Sequence, residues 1–87
     1  MAEVTIYRTT YCPYCDMAKR FFRDMGIDFE EIDVTNDPER REKLVEMTGG
    51  RRTVPQVFIN GKSVGGYTDI VELKRSGKLE DMLESDG

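Results

Sequence analysis

With 87 residues, 38% of them hydrophobic, the chain has room for one core and none for a second, and it shows no low-complexity stretch or internal repeat. A net charge of −4 argues against general affinity for nucleic acid or an anionic membrane, and no apolar run is long enough to cross one. The absence of His excludes an imidazole base, a His metal ligand and a hydrolytic Cys–His nucleophile, leaving thiol chemistry for the two cysteines.

Met1-Ala2-Glu3 leads straight into a strand without the apolar core of a signal peptide, so a cytoplasmic protein is expected. Val4-Thr5-Ile6-Tyr7 alternates apolar and polar residues as a half-buried strand does. A helix is expected from residue 12 or 13 to about 25. In it Cys15, Ala18, Phe22 and Met25 form the apolar stripe beside Phe21, while Asp16, Lys19, Arg20 and Arg23 face water. Gly26 is the C-cap candidate. A second strand over residues 28–34 puts Ile32 and Val34 on one face. Asp37-Pro38 then reads as an N-cap followed by an N1 proline, opening a helix with Leu44, Val45 and Met47 as its apolar positions and Gly49-Gly50 as its end.

Residues 56–59 are strand-like, Asn60-Gly61 is a two-residue turn signal, and residues 62–65 return to form a hairpin. Thr68 is expected to cap a third helix carrying Ile70, Val71 and Leu73 and ending near Ser76-Gly77. A last short helix holds Leu79, Met82 and Leu83, with residues 84–87 as a frayed tail. The order β-α-β-α-β-β-α, plus a terminal helical turn, describes one α/β domain over residues 1–87. Its first two strands should be parallel through a right-handed crossover, and the hairpin should add an antiparallel pair.

Cys12-Pro13-Tyr14-Cys15 holds both cysteines, three apart at a helix start, where Cα atoms lie roughly 5–5.5 Å apart and a disulfide can close. In a cytoplasmic chain such a pair is catalytic or metal-binding more often than structural. Cys12, as N-cap residue, is the expected nucleophile: backbone N–H groups and the helix dipole favour its thiolate and lower its pKa from about 8.5. Cys15, one turn in on the apolar side, is the expected resolving thiol. Thr53-Val54-Pro55 admits two readings. Pro55 either opens an edge strand in the ordinary way or follows a cis bond that turns the Val54 backbone outward beside Cys12. Gly65-Gly66-Tyr67-Thr68-Asp69 is either a plain loop or a ligand-facing turn, with N–H groups for a carboxylate and Asp69 for an ammonium group.

The C-P-Y-C run, Arg52-Thr53-Val54-Pro55-Gln56-Val57-Phe58-Ile59 and Gly65-Gly66-Tyr67-Thr68-Asp69 stand in an order and spacing that resembles the dithiol glutaredoxins over essentially the whole chain. That resemblance implies a thioredoxin fold, a four-stranded mixed sheet flanked by helices with a cis Pro55 before the third strand. It implies Cys12 and Cys15 as the catalytic pair, glutathione as reductant, and glutathione mixed disulfides and disulfide-bonded proteins as substrates. The cysteinyl part of glutathione would pair with Val54, between Thr53 and Pro55, and Tyr14 would line the groove. The γ-glutamyl carboxylate would lie on the N–H groups at Thr68 and Asp69, with Asp69 or Thr68 holding its amine or carboxylate and Gly66 as a further binding residue, and Tyr67 would narrow the groove where the family often has a small residue or Cys. One departure concerns the Lys that many glutaredoxins carry three residues before the nucleophile: Thr9 stands there, leaving Arg8, Arg41 and Arg52 as candidates for the glycyl carboxylate. This departure keeps open a redoxin reduced by thioredoxin reductase. An iron–sulfur carrier, built from two chains and two glutathiones, is a further alternative that Pro13 disfavours, and a zinc site would need the cysteines of two chains. A monomer without resident metal, nucleic acid or membrane partner is expected.

Overall fold

The computed structural model describes residues 2–84, in the order β1 (Val4–Arg8), α1 (Pro13–Asp24), β2 (Glu30–Asp33), α2 (Pro38–Met47), β3 (Gln56–Ile59), β4 (Lys62–Gly65), α3 (Tyr67–Arg75) and α4 (Lys78–Glu84). The tail expected over residues 84–87 lies outside the described residues except for Glu84, which ends α4. The strands form one mixed sheet in the order β2-β1-β3-β4, with β1 and β2 parallel and the other two pairings antiparallel. The crossover through α1 makes the parallel pairing possible, because two parallel strands cannot be joined by a tight turn. The hairpin closes over two residues, Asn60 at φ 53° and Gly61 at φ 81°, with Ile59 opposite Lys62. Both central residues at positive φ give the turn whose twist matches its strands.

Alternation along β1 and β3 sends Val4, Ile6, Val57 and Ile59 to one face, where they pack on Ala18 and Phe22 of α1, Ile70 of α3 and Leu79 of α4. Tyr7 and Phe58 point to the other face and meet edge to face at 5.4 Å. There α2 buries Leu44 and Val45, and its Met47 shares a cleft with Tyr7 and Ile32. Met47 differs from expectation: as the last residue of α2 it is 43% exposed. The Asp37 side chain accepts the Arg40 N–H at 3.0 Å, as an N-cap before Pro38 does.

β2 is shorter than the 28–34 expected, since only Glu30 to Asp33 find partners, Thr5 to Arg8. Phe29 packs its ring 6.3 Å from Phe22 and carries the Arg23 guanidinium over its face at 5.6 Å. Val34 is buried and donates its N–H to the Arg8 carbonyl at 2.9 Å. The α1 C-cap is Met25, with Gly26 directly after it.

Candidate active site

Cys12 occupies the N-cap of α1 in extended backbone (φ −145°, ψ 96°), and its Sγ accepts the N–H of Cys15 at 3.1 Å. Pro13 at the first helical position has no N–H to leave unsatisfied there. The two sulfurs are bridged, and the Cα atoms stand 5.1 Å apart, inside the range a disulfide requires. Cys15 is fully buried whereas Cys12 is 9% exposed, so an incoming sulfur reaches Cys12 first. Once the pair is reduced, the same N–H group and the helix N-terminus favour a thiolate at Cys12.

The loop before Cys12 is tied to the end of β2. Thr35 accepts the Thr10 N–H at 2.8 Å on its hydroxyl, and that hydroxyl donates to Asp33 Oδ1 at 2.6 Å. The Thr35 hydroxyl and N–H, followed by Arg8 and Thr10, outweigh desolvation and hold the Asp33 carboxyl below its ordinary value. Neither Thr10 nor Thr35 belongs to a motif, and this tether has no sequence signal.

The Val54–Pro55 peptide, immediately before β3, is cis. The Val54 carbonyl oxygen lies 3.7 Å from Cys12 Sγ. Fully buried Gln56 fixes this segment from behind, donating from Nε2 to the Thr53 carbonyl at 2.9 Å and to the Thr53 hydroxyl at 3.3 Å. Thr53, Val54 and Pro55 form one wall of a cleft of about 240 Å³, and Gly66, Tyr67, Thr68, Tyr14 and Arg51 complete it. Gly66 approaches the other wall closely: a Cβ there would stand 3.2 Å from the Pro55 carbonyl oxygen.

The α3 N-terminus is built differently from expectation. Its N-cap is Gly66, not Thr68, which lies inside the first turn. Asp69 closes the turn, its Oδ2 accepting the Gly66 N–H at 2.8 Å and the Arg51 guanidinium at 3.0 Å. Burial works against the ionised Asp69 carboxyl, but the Gly66 N–H and Arg51 outweigh it and hold its pKa below the ordinary carboxylate value. Gly65, at φ 101°, is the position the ion pair crowds, and a side chain there would collide with Asp69 and Arg51.

The structure therefore gathers Tyr14, Thr53, Val54, Pro55, Gly66, Tyr67 and Thr68 around one cleft. It places Asp69 behind that cleft, on a separate crevice shared with Ser63 and Met82. Arg8 is paired with Glu31 at 2.9 Å and Asp33 at 3.4 Å, and Arg52 with Glu42 at 3.5 Å. Arg41 donates to the Arg52 carbonyl at 3.5 Å. None of these three lines the cleft; the arginine that does is Arg51, which the motifs had passed over. A spacing signal for its partner existed: Asp69 stands three residues after Gly66, where an acidic side chain closes a helix N-terminus.

The glutaredoxin family model matches residues 4–64. Glutaredoxin of Pseudomonas aeruginosa is 42% identical over 85 residues, spanning 98% of this chain and all of that protein. Glutaredoxin 3 of Escherichia coli K12 is 37% identical over 84 residues, spanning 97% of this chain and all of its own. Among solved structures, glutaredoxin from Brucella melitensis superposes with a TM-score of 0.84 at 40% identity, covering 98% of this chain and 91% of that one. A buckwheat glutaredoxin–glutathione complex superposes at 0.85 with 36% identity, covering 92% and 74%. The family-model match over residues 4–64, with a fold and a sequence shared with these proteins over nearly the whole length, makes this chain a member of the glutaredoxin family, with the thioredoxin fold.

Proposed function

We propose that this thiol–disulfide oxidoreductase draws its electrons from glutathione and acts on glutathione mixed disulfides and disulfide-bonded proteins in the cytoplasm. The observation that carries this reading is the placement of Cys12. Its Sγ rests on the Cys15 N–H at 3.1 Å and lies 3.7 Å from the carbonyl of Val54, a residue that lines a cleft with peptide groups along one wall and a helix N-terminus on the other. A short peptide with a central cysteine and a terminal carboxylate fits those groups: backbone against Val54, carboxylate against the first turn of α3. The buckwheat relative solved as a glutathione complex supports the same occupant.

The electron balance is that of thiol–disulfide exchange. The Cys12 thiolate attacks a substrate disulfide, a Cys12–substrate bond forms, and one substrate sulfur leaves as thiolate and takes a proton. Cys15 then loses its proton and attacks Cys12 Sγ, which closes the internal disulfide and releases the second substrate thiol. One glutathione thiolate opens that disulfide at Cys12, and a second attacks the resulting mixed disulfide, leaving oxidised glutathione and the reduced pair. For a glutathionylated substrate Cys12 suffices, since glutathione itself resolves the Cys12 adduct.

The test is the rate at which glutathione, recycled by NADPH and glutathione reductase, reduces the Cys12–Cys15 disulfide, with NADPH and thioredoxin reductase in parallel. Fast turnover with glutathione is expected. Turnover with thioredoxin reductase alone would move the protein to the second reading, a redoxin with another electron donor. That reading has its own observation: Thr9 is uncharged, and Arg8 is already spent on Glu31 and Asp33.

A further inference from the structure

Cys12 reaches the Val54 wall at the end of a loop that starts on the far side of the sheet. In the order β2-β1-β3, Arg8 at the end of β1 lies opposite Asp33 at the end of β2, and Tyr7 lies opposite Gln56 at the start of β3. Residues 9–12 therefore leave β1 between two neighbours, with Thr35 beyond the end of β2 on one side and Val54 before the start of β3 on the other. The loop has little apolar anchorage: Thr10 is exposed, Tyr11 is 96% exposed, and burial begins at Cys12. Hydrogen bonds take its place, and they converge on one hydroxyl outside the loop. Thr35 Oγ1 accepts the Thr10 N–H at 2.8 Å and donates to Asp33 Oδ1 at 2.6 Å. A hydroxyl has one hydrogen, so Thr10 Oγ1 is the donor in its 3.1 Å contact with Thr35 Oγ1, and that oxygen is saturated. Asp33 Oδ1 also accepts the Thr35 N–H at 2.9 Å, and its Oδ2 meets the Arg8 guanidinium at 3.4 Å. Arg8 holds Glu31 at 2.9 Å, and Lys19 of α1 joins Glu31 at 3.2 Å and Asp16 at 3.5 Å. The network runs from β1 across β2 to the start of α1, and it grips the loop at Thr10, two residues before the sulfur.

We propose that Thr35 is a positioning residue: by holding the Thr10 N–H it fixes where the start of α1 sits against the Val54 wall, and so aligns Cys12 with a substrate chain lying along that wall. The N-cap contact between Cys12 and Cys15 is local and keeps its shape without the tether. What the tether sets is the placement of that unit relative to β3, and small misplacements of reacting groups are costly in rate. Thr35 touches no reacting atom. The inference rests on the reading of a glutathione backbone paired with Val54 and deepens it.

The experiment follows the fully reduced chain in single turnovers by thiol counting, without any reductase. Three reagents are compared: a peptide glutathionylated at its one cysteine, bis(2-hydroxyethyl) disulfide, which has no peptide groups to lay along Val54, and iodoacetamide, which reports the reactivity of Cys12 alone. Thr35→Val keeps the shape of the side chain and removes the acceptor of the Thr10 N–H. It should slow the glutathionylated peptide about twofold to tenfold, the factor one hydrogen bond carries, and leave the other two reagents at wild-type rates. Thr35→Ser returns the hydroxyl and should restore the peptide rate. If Thr35→Val does not fold, Thr35→Ala also lacks the hydroxyl and should show the same selective loss. An unchanged peptide rate in a folded variant overturns the proposal, as does an equal slowing of all three reagents or a failure of Thr35→Ser to restore the rate. A wild-type chain that reacts no faster with the glutathionylated peptide than with bis(2-hydroxyethyl) disulfide overturns the glutathione reading, and the alignment with it.

Discussion

The redox pair and the cleft beside it are built by different means. The Cys12 side is local: an N-cap sulfur takes the N–H of a residue three positions on, and a proline at the first helical position fixes the turn. The facing side is assembled from afar. Arg51 reaches Asp69 across 18 positions at 3.0 Å, and the loop it belongs to is held by Gln56 from the start of β3. A local device keeps its shape whenever its helix forms. A distant one depends on both partners being brought to the same place by the sheet. Reactivity should therefore follow the first side, and affinity and fit the second.

Substitutions on each side would break or sharpen that contrast. The largest effect is expected on the local side: Cys12→Ser should abolish turnover of every substrate, while Cys15→Ser should retain removal of glutathione from glutathionylated substrates and lose reduction of protein disulfides. Coupled assays with both substrate types check this, and a Cys15 variant dead toward glutathionylated substrates would reverse the roles. Next, Gly65→Ala places a side chain at φ 101° against the ion pair. The backbone cost alone is about 1–3 kcal/mol. At roughly 4–8 °C per kcal/mol for a domain of this size, calorimetry should show a Tm lower by about 5–20 °C.

Gln56→Leu is expected to cost less, about 0.5–1.5 kcal/mol in urea unfolding, because it removes the Nε2 donor of a partly buried hydrogen bond to the Thr53 carbonyl. It should also raise KM for glutathione adducts while the alkylation rate of Cys12 stays unchanged. Smallest is Arg51→Ala. Its ion pair is half-exposed, so stability should barely move and KM should rise about two- to fivefold. The pair has a pH signature. The Asp69 carboxyl is held below 3.8, so its contribution is complete above that value and is lost as pH falls through the lower folded value. Acid unfolding of Asp69→Asn should lack this limb, and an unchanged acid profile would contradict the assignment.

The same contrast governs what was legible in the sequence. The C-x-x-C spacing, the Asp37-Pro38 helix start, the Asn60-Gly61 turn and the alternation in β1 and β3 are short-range patterns, and each led to the element found. The parallel β1–β2 pairing and the antiparallel hairpin followed from them through connection rules, whereas the β1–β3 pairing that orders the sheet is set by the fold. Arg51 was not legible because Arg8, Arg41, Arg51 and Arg52 look alike as charges in a row, and only the fold decides which one meets Asp69. The cap of α3 was misplaced by two positions for a related reason. Thr68 has a capping oxygen and Gly66 has none, yet the oxygen in use comes from Asp69, folding back on the Gly66 N–H. β2 was read too long because Phe29 looks like a strand residue, and its ring is occupied by Phe22 and Arg23 instead.

The most direct test of the account is the pH dependence of alkylation of the reduced chain by iodoacetamide, with the modified cysteine mapped at each pH. The account predicts that Cys12 is alkylated first, with a midpoint well below the 8.5 or so of a free thiol, and that Cys15 resists until the chain unfolds. Alkylation that begins at Cys15, or a Cys12 midpoint at or above about 8.5, would contradict the claim that the helix start makes Cys12 the nucleophile.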